Sequence, residues 1–408
     1  LSRYYIDYEE ALNLIKKEVF LLESEEVSLE SCLFRVLRED LVASFDNPQT
    51  EVSAMDGYAL SFTSLESGKD IRVVGEGVAG ELPLKPLKEG EAIKIFTGAP
   101  LPKGADTVVP VEIAQVDQGF LKVKGKVKKG ANVRPRGEDY KKGEVILDKG
   151  TLITPSEIGI IASLNRKKVK VSKRPKVGVV ITGKEVVEPG SPLTSPAQVV
   201  NANAYTLIGL IKEAGGEPNY YGIVDDDYGE TLKAVDKALK ENDLVITTGG
   251  ISVGDYDFVK EVVKELEVEP LFYKVKVKPG KPVFFGKRGK KYLFGLPGFP
   301  VSVFVSFNVF VYPFLRSLQG AKERFRKTFT AFLKEEFRRK KADRLEFVRV
   351  SCHFNKEKGV FEVVPLKNQS SGSLSTLKGS VFLMPIKIGI KALPQGSKVE
   401  VIKVKPFV

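Results

Sequence analysis

Between residues 176 and 318 the sequence alternates short apolar runs with longer amphipathic ones, and this alternation constrains the fold more than any other feature. Strands are predicted at 176–182, 220–224, 243–248 and 271–277, with two short paired strands at 283–286 and 291–295. Helices are predicted at 203–214, closed by Gly215-Gly216, and at 228–240, 257–266 and 301–318. Repeated strand–helix units build a mostly parallel sheet with helices on both faces. Such sheets bind ligands beyond the carboxyl ends of their strands.

The flanks read differently. Leu12, Ile15, Val19 and Leu22 recur at helical spacing, so 5–22 is predicted helical, and 26–42 is short and mixed. Residues 43–150 carry short β runs broken by Gly and Pro, at 71–74, 91–95, 107–113 and 120–127, which predicts a compact β-rich subdomain. A helix follows at 153–165, with Thr154 as cap and Pro155 in its first turn. The basic stretch 166–176, ending in Arg174-Pro175, reads as a boundary. After 320 come strands at 328–333, 346–353, 360–365, 380–385 and 398–404, a small barrel or sandwich. The expected division is an N-terminal region 1–172, an α/β domain 173–320 and a C-terminal β domain 321–408.

Composition narrows the chemistry. The two cysteines, Cys32 and Cys352, exclude a disulfide framework and a Cys-rich zinc site, and the lone His353 excludes a two-imidazole metal centre. Catalysis must run on carboxylates, lysines, hydroxyls and backbone groups. The 64 Lys and Arg against 52 Asp and Glu give +12, which fits either a solvated Lys-rich surface or a nucleic-acid binder. No run of about 18 apolar residues is apparent, so no membrane span is expected. The acidic, interrupted start LSRYYIDYEEALNLI does not read as a signal peptide, and a soluble cytoplasmic protein is expected.

Gly178 to Lys184 fits G-x-x-x-x-G-K, but Glu185 stands where a phosphate loop needs Ser or Thr, and the intervening residues are buried-strand types. No G-x-G-x-x-G follows a strand. The strand ends say more. Gly183-Lys184-Glu185, Asp225-Asp226-Asp227, Gly249-Gly250-Ile251-Ser252, the Lys274 to Pro282 segment and Leu296-Pro297-Gly298-Phe299-Pro300 all fall where strands end. Glycines there let backbone N–H groups approach an anion. Glu185, Asp225 and Asp257 suit magnesium, and Lys274, Lys278 and Lys281 suit phosphate oxygens. The competing reading is that the glycines merely end strands and the Asp run caps a helix. The N-terminal half adds S-A-M-D-G-Y-A at 53–59, F-T-G-A-P at 96–100 and R-P-R-G-E-D at 134–139, each of which, taken alone, could be an ordinary turn.

These strings, with TTGGISVGDYD, KPGKP and GLPGFPVS, stand in the order found in the molybdopterin molybdenumtransferases, the MoeA family that includes the E domain of gephyrin, and the whole chain resembles it. The resemblance implies insertion of molybdate into adenylylated molybdopterin with magnesium-dependent release of AMP, and a homodimer with its active site between subunits. It implies an elongated N-terminal region, a molybdopterin-binding α/β domain and a C-terminal β-barrel. By motif, Asp56, Thr97, Asp139, Glu185 and Asp257 correspond to catalytic positions, and Glu185, Asp225, Asp226 and Asp257 to metal-binding acids. Gly249, Gly250, Ser252, Lys274, Lys278, Lys281, Pro297, Pro300 and Ser371 correspond to substrate or anion contacts, with Ser373 in the same Ser-Gly loop. Three positions depart from the family pattern: Phe299 for Asn, Lys184 for an acid, and Asn201 for Asp.

The competing functions are a molybdopterin adenylyltransferase, which shares the α/β domain and would also be a candidate partner, and a non-catalytic gephyrin-like scaffold. The first lacks the N-terminal and C-terminal regions present here. The second is disfavoured by the absence of a long linker. Nucleic-acid binding would need aromatics among the lysines of 121–129 and 166–176, and none stands there.

Overall fold

The computed structural model describes residues 3–82, 85–225, 227–249, 258–379 and 381–404. Its contacts divide the chain into two units: Glu39–Lys149 with Pro155–Lys167, and Leu1–Arg38 with Gly150–Thr154 and Lys168–Val408.

The second of these contains a seven-stranded sheet in the order Arg3–Ile6, Glu269–Val275, Phe284–Arg288, Lys291–Leu296, Leu244–Thr248, Lys176–Thr182 and Glu217–Val224. Phe284–Arg288 runs antiparallel to both neighbours, and the other pairings are parallel. Lys176–Thr182 is buried from Val177 onward. Its β-branched run suits a strand covered on both faces. Val177, Val179, Leu244 and Ile246 pack on one side, with the helix Ala202–Glu213. Val180 and Val245 pack on the other, against the helices Tyr228–Glu241 and Phe258–Glu265. The register pairs Thr182 with Val224, Thr248 with Leu296 and Gly295 with Phe284, so these strand ends share one edge.

The predicted helix 5–22 is corrected: Arg3–Ile6 is an edge strand parallel to Glu269–Val275, and the helix is Tyr8–Lys17. Its partner lies more than 260 residues away, beyond the reach of local pattern. The basic stretch contains the strand Lys168–Ser172, paired antiparallel with Ser24–Ser28. Its Lys-Val alternation puts valines inward and lysines outward.

One helix among the described residues meets the length and hydropathy of a membrane span without leaving the core. Pro300–Leu318 is long and apolar enough, but 94% of it is buried in the fold, as a core helix. It widens into a π turn at Phe307–Val311 just before Pro313. A proline ring clashes with the carbonyl four residues earlier in an α-helix, and a wider turn relieves that clash.

The C-terminal strands close on themselves. Leu345–Asn355 pairs with Val360–Pro365 and Val381–Ile386; Thr328–Leu333 pairs with Val360–Pro365 and Lys398–Ile402; Lys398–Ile402 meets Val381–Ile386. The resulting five-stranded barrel is filled by Val348, Val350, Val363, Phe382, Met384 and Val401. The strand Val277–Lys278 pairs in parallel with Leu345 and Glu346, joining the sheet domain to the barrel.

The unit around 39–149 is a six-stranded sheet in the order Thr107–Pro110, Gly57–Leu60, Glu91–Ile95, Ile71–Gly77, Phe120–Val123 and Ala114–Asp117. Two of the expected strands stop early: 107–113 at Pro110, where a 3-10 turn begins, and 120–127 at Val123.

Candidate active site

The shared carboxyl edge of the sheet and one loop of the barrel enclose a cleft of about 1000 Å³. Each of its walls has a local cause. Gly249 follows Thr248 at φ +87°, and a Cβ there would lie 2.5 Å from the Thr182 carbonyl oxygen. The strand ends can come this close only without a side chain. Gly280, at φ +99°, lets the Lys278 to Pro282 turn lie against the buried Ser306 hydroxyl. The pairing of Lys278 with Glu346 places Lys278 Nζ 2.7 Å from the Glu346 carboxylate, which is 5% exposed and also meets Arg339 at 3.3 Å. The same pairing brings Arg344 into the cleft.

The barrel wall is held by an unusual group. Arg349 is 1% exposed and, among the described residues, has no carboxylate as a hydrogen-bond partner. Its guanidinium donates to Thr376 Oγ1 at 2.6 Å and to the carbonyls of Asn368 and Ser370 at 3.1 Å. Gln369 returns a bond from its amide to the Arg349 carbonyl at 2.8 Å. Burial lowers the Arg349 pKa, yet the group stays charged because an arginine starts so high. Ser370 and Ser371, in the loop thus fixed, line the cleft.

Of the anticipated site residues, the structure gathers Glu185, Gly249, Lys278, Lys281, Pro297, Pro300 and Ser371 in this cleft. Lys274 is not among them. Its backbone is left-handed at φ 61°, and its ammonium bonds the Tyr4 hydroxyl, 4.8 Å over that ring. Asp225 is exposed and outside the cleft lining. Asp227 caps the helix Tyr228–Glu241 by accepting from the Glu230 amide at 2.9 Å, which favours the capping explanation for that residue of the Asp run. Asp226, Gly250, Ser252 and Asp257 lie outside the described residues.

In the 39–149 unit, antiparallel pairing of Gly57 with Ile95 sets Asp56 beside Thr97. Asp56 Oδ1 accepts from the Thr97 amide and hydroxyl, both at 2.8 Å, and these bonds hold its carboxyl below the usual aspartate range. Asp139 accepts from the Asn47 side-chain amide at 2.9 Å, while neighbouring Arg134 and Arg136 pair with Glu138 and Asp46.

Residues 6–165 match the MoeA N-terminal region (domain I and II), 178–317 the probable molybdopterin binding domain, and 332–404 the MoeA C-terminal region (domain IV). The chain is 34% identical to a molybdopterin molybdenumtransferase of Haemophilus influenzae, over 91% of this chain and 92% of the relative. The chain belongs to the molybdopterin molybdenumtransferase family. A Bacillus subtilis molybdopterin molybdenumtransferase is 32% identical over 94% of this chain and 90% of its own. A solved molybdopterin biosynthesis moeA protein of Pyrococcus horikoshii OT3 superposes with TM-score 0.83 at 31% identity, covering 98% of this chain and 100% of that one. As a molybdopterin molybdenumtransferase family member, this chain is a transferase of molybdenum cofactor biosynthesis.

Within this molybdenumtransferase, two departures from the family pattern acquire structural roles. Asn201 is the buried N-cap of Ala202–Glu213: its oxygen accepts from the Ala204 amide at 3.1 Å and its amide donates to the Tyr220 hydroxyl at 2.7 Å. An Asp could cap but could not donate. Phe299 opens the helix beginning at Pro300 and points into the cleft mouth. Lys184 is exposed outside the cleft lining, and nothing in the structure explains its substitution.

Three residues escaped the sequence reading. Asn203 donates to the Gly298 carbonyl at 2.8 Å and fixes the turn before Phe299. Arg344 supplies a cleft cation, and Arg349 orders the barrel loop. The available signal for Arg349 was an arginine set between Val348 and Val350, on the strand face it shares with Phe347 and opposite the barrel core.

Proposed function

We propose that this chain inserts molybdate into adenylylated molybdopterin with magnesium-dependent release of AMP, and that the cleft holds the anionic part of that substrate. The observation that carries this reading is charge: the described lining has three cations, Lys278, Lys281 and Arg344, against one carboxylate, Glu185. They sit beside a glycine-narrowed strand edge of the kind that accepts phosphate oxygens.

The roles follow from position. Lys278, Lys281 and Arg344 balance the phosphoanhydride and the molybdate oxyanion. Gly249 lets backbone approach a phosphate oxygen. A water oxygen attacks the adenylyl phosphorus and gives its proton to solvent, the anhydride P–O bond breaks with its electron pair leaving on the molybdopterin phosphate, and AMP departs. Lysine cations stabilise the charge that builds on that phosphate. The two dithiolene sulfurs bond to molybdenum as one molybdate oxygen leaves as water with the two thiol protons. No covalent nucleophile is required, and orientation supplies much of the rate.

Magnesium would neutralise phosphate charge. Among the described residues no three His, Cys, Asp or Glu side chains cluster for a metal. Magnesium nevertheless binds commonly through one or two carboxylates plus phosphate oxygens and water, which one carboxylate at Glu185 fits. The reading further takes the enzyme as a cytoplasmic homodimer, in which Asp56, Thr97 and Asp139 of one subunit serve the cleft of the other. A molybdopterin adenylyltransferase would supply its substrate.

The test is direct. Purified protein given adenylylated molybdopterin, molybdate and magnesium releases AMP. No release from intact protein overturns the assignment, and unchanged turnover in Glu185→Ala overturns the role of that carboxylate.

A further inference from the structure

The cleft lining includes apolar side chains as well as cations. Phe299 is 62% exposed and lines the cleft, as do the exposed Val199 and Val200. Large apolar side chains gathered at the mouth of a pocket are covered when a ligand fills it. Phe299 also occupies a position that its side chain serves poorly. It is the N-cap of the helix beginning at Pro300, in extended conformation and with no side-chain cap bond. Asn, Asp, Ser or Thr stabilises that position, and phenylalanine does not. Its ring therefore contributes neither capping nor burial.

The backbone holding this ring is fixed on both sides. Asn203 donates to the Gly298 carbonyl at 2.8 Å, tying the segment after Val199 and Val200 to the turn before Phe299. On the other side, the Val301 amide donates to the Ser371 carbonyl at 3.0 Å. A Cβ built on Gly372 would lie 3.6 Å from the Phe299 ring, so the barrel loop runs beside the ring and leaves it room through a glycine. An aromatic face fixed in this way and left open suits a flat ring system.

Resting on the reaction proposed above, we infer that Phe299, with Val199 and Val200, forms a stacking shelf for the fused-ring heterocycle of the substrate, while Lys278, Lys281 and Arg344 take its phosphates. The cleft lining thus combines an exposed aromatic ring and two exposed valines with three cations, matching a ligand with a flat ring joined to phosphate. Adenine and the pterin share that chemistry, and the shelf takes one of them.

Equilibrium binding to the full-length chain separates these cases, using AMP, a phosphorylated pterin and inorganic pyrophosphate as probes. Phe299→Ala weakens one ring-bearing probe about 10- to 100-fold and leaves pyrophosphate within about twofold. Phe299→Tyr restores the lost affinity. The probe that suffers identifies the ring: AMP marks adenine, the phosphorylated pterin marks the pterin. Phe299→Asn gives the same binding loss while raising the thermal midpoint by about 1–3 °C, because it restores a cap. Opposite signs in one variant exclude damage to the fold as the cause. The shelf is overturned if Phe299→Ala binds both rings as the unaltered protein does, if pyrophosphate weakens equally, or if the unaltered protein binds neither ring. The reaction itself is tested by AMP release from the unaltered protein, so the two ideas fail separately.

Discussion

The parallel sheet and the C-terminal barrel treat their strand ends in opposite ways. The sheet leaves its carboxyl edge open, and Gly249, Glu185 and the Lys278 to Pro282 turn occupy it. The barrel closes every pairing into a ring and gives the cleft one loop, fixed by Arg349 from the outer face of its strand. An open edge supplies close backbone approach and charge. A closed barrel supplies a wall that cannot fray. The cleft needs both, and the two contributions can be broken separately.

The largest effect should come from the sheet side. Gly249→Ala puts a Cβ 2.5 Å from the Thr182 oxygen in a left-handed backbone. A local cost of about 2–4 kcal/mol is expected, read as a turnover loss of about 100-fold. Next is the barrel side. Arg349→Met leaves two loop carbonyls and a threonine hydroxyl without their donor, and urea unfolding should show a loss of about 2–3 kcal/mol. If Arg349→Met left both stability and turnover unchanged, the barrel would be packing and not part of the site.

Smaller still is the join between them. Lys278→Met should raise KM for the anionic substrate about tenfold, the worth of one charge-assisted bond. The smallest effect lies outside both regions. The Asp56 carboxyl is depressed by its Thr97 bonds. Its contribution is therefore present above the ordinary aspartate value of 3.8 and is lost as pH falls through the lower folded value. The difference in thermal midpoint between the natural chain and Asp56→Asn should hold steady near neutrality and shrink below pH 3.8. A difference that grew on acidification would contradict the Thr97 geometry.

Much of the sheet domain was legible because buried parallel strands are written as continuous β-branched runs ended by glycine. Lys176–Thr182, ended by Gly183, was read to the residue for that reason. The convergence of Glu185, Gly249 and Lys278 followed from strand direction alone. What stayed hidden depends on partners distant in sequence. Arg3–Ile6 becomes a strand only by pairing with Glu269–Val275, and that edge strand also brings Tyr4 to capture Lys274. Arg344 reaches the cleft because Val277 pairs with Leu345. The Asp225 to Asp227 string shows the converse: local chemistry allowed both a metal site and a cap, and for Asp227 the cap is what formed.

The two-residue ladder between Val277–Lys278 and Leu345–Glu346 has a thermal consequence. It is far shorter than the five-pair ladder of Leu244–Thr248 with Lys291–Leu296 in the sheet or the six-pair ladder of Leu345–Asn355 with Val381–Ile386 in the barrel, yet it sets the spacing of Lys278 and Arg344. Short ladders open at lower temperature than the bodies they connect. On warming, substrate affinity should therefore decay before circular dichroism reports any melting. Hydrogen exchange at the Leu345 amide, bonded to the Lys276 carbonyl at 3.0 Å, should mark where that loosening begins.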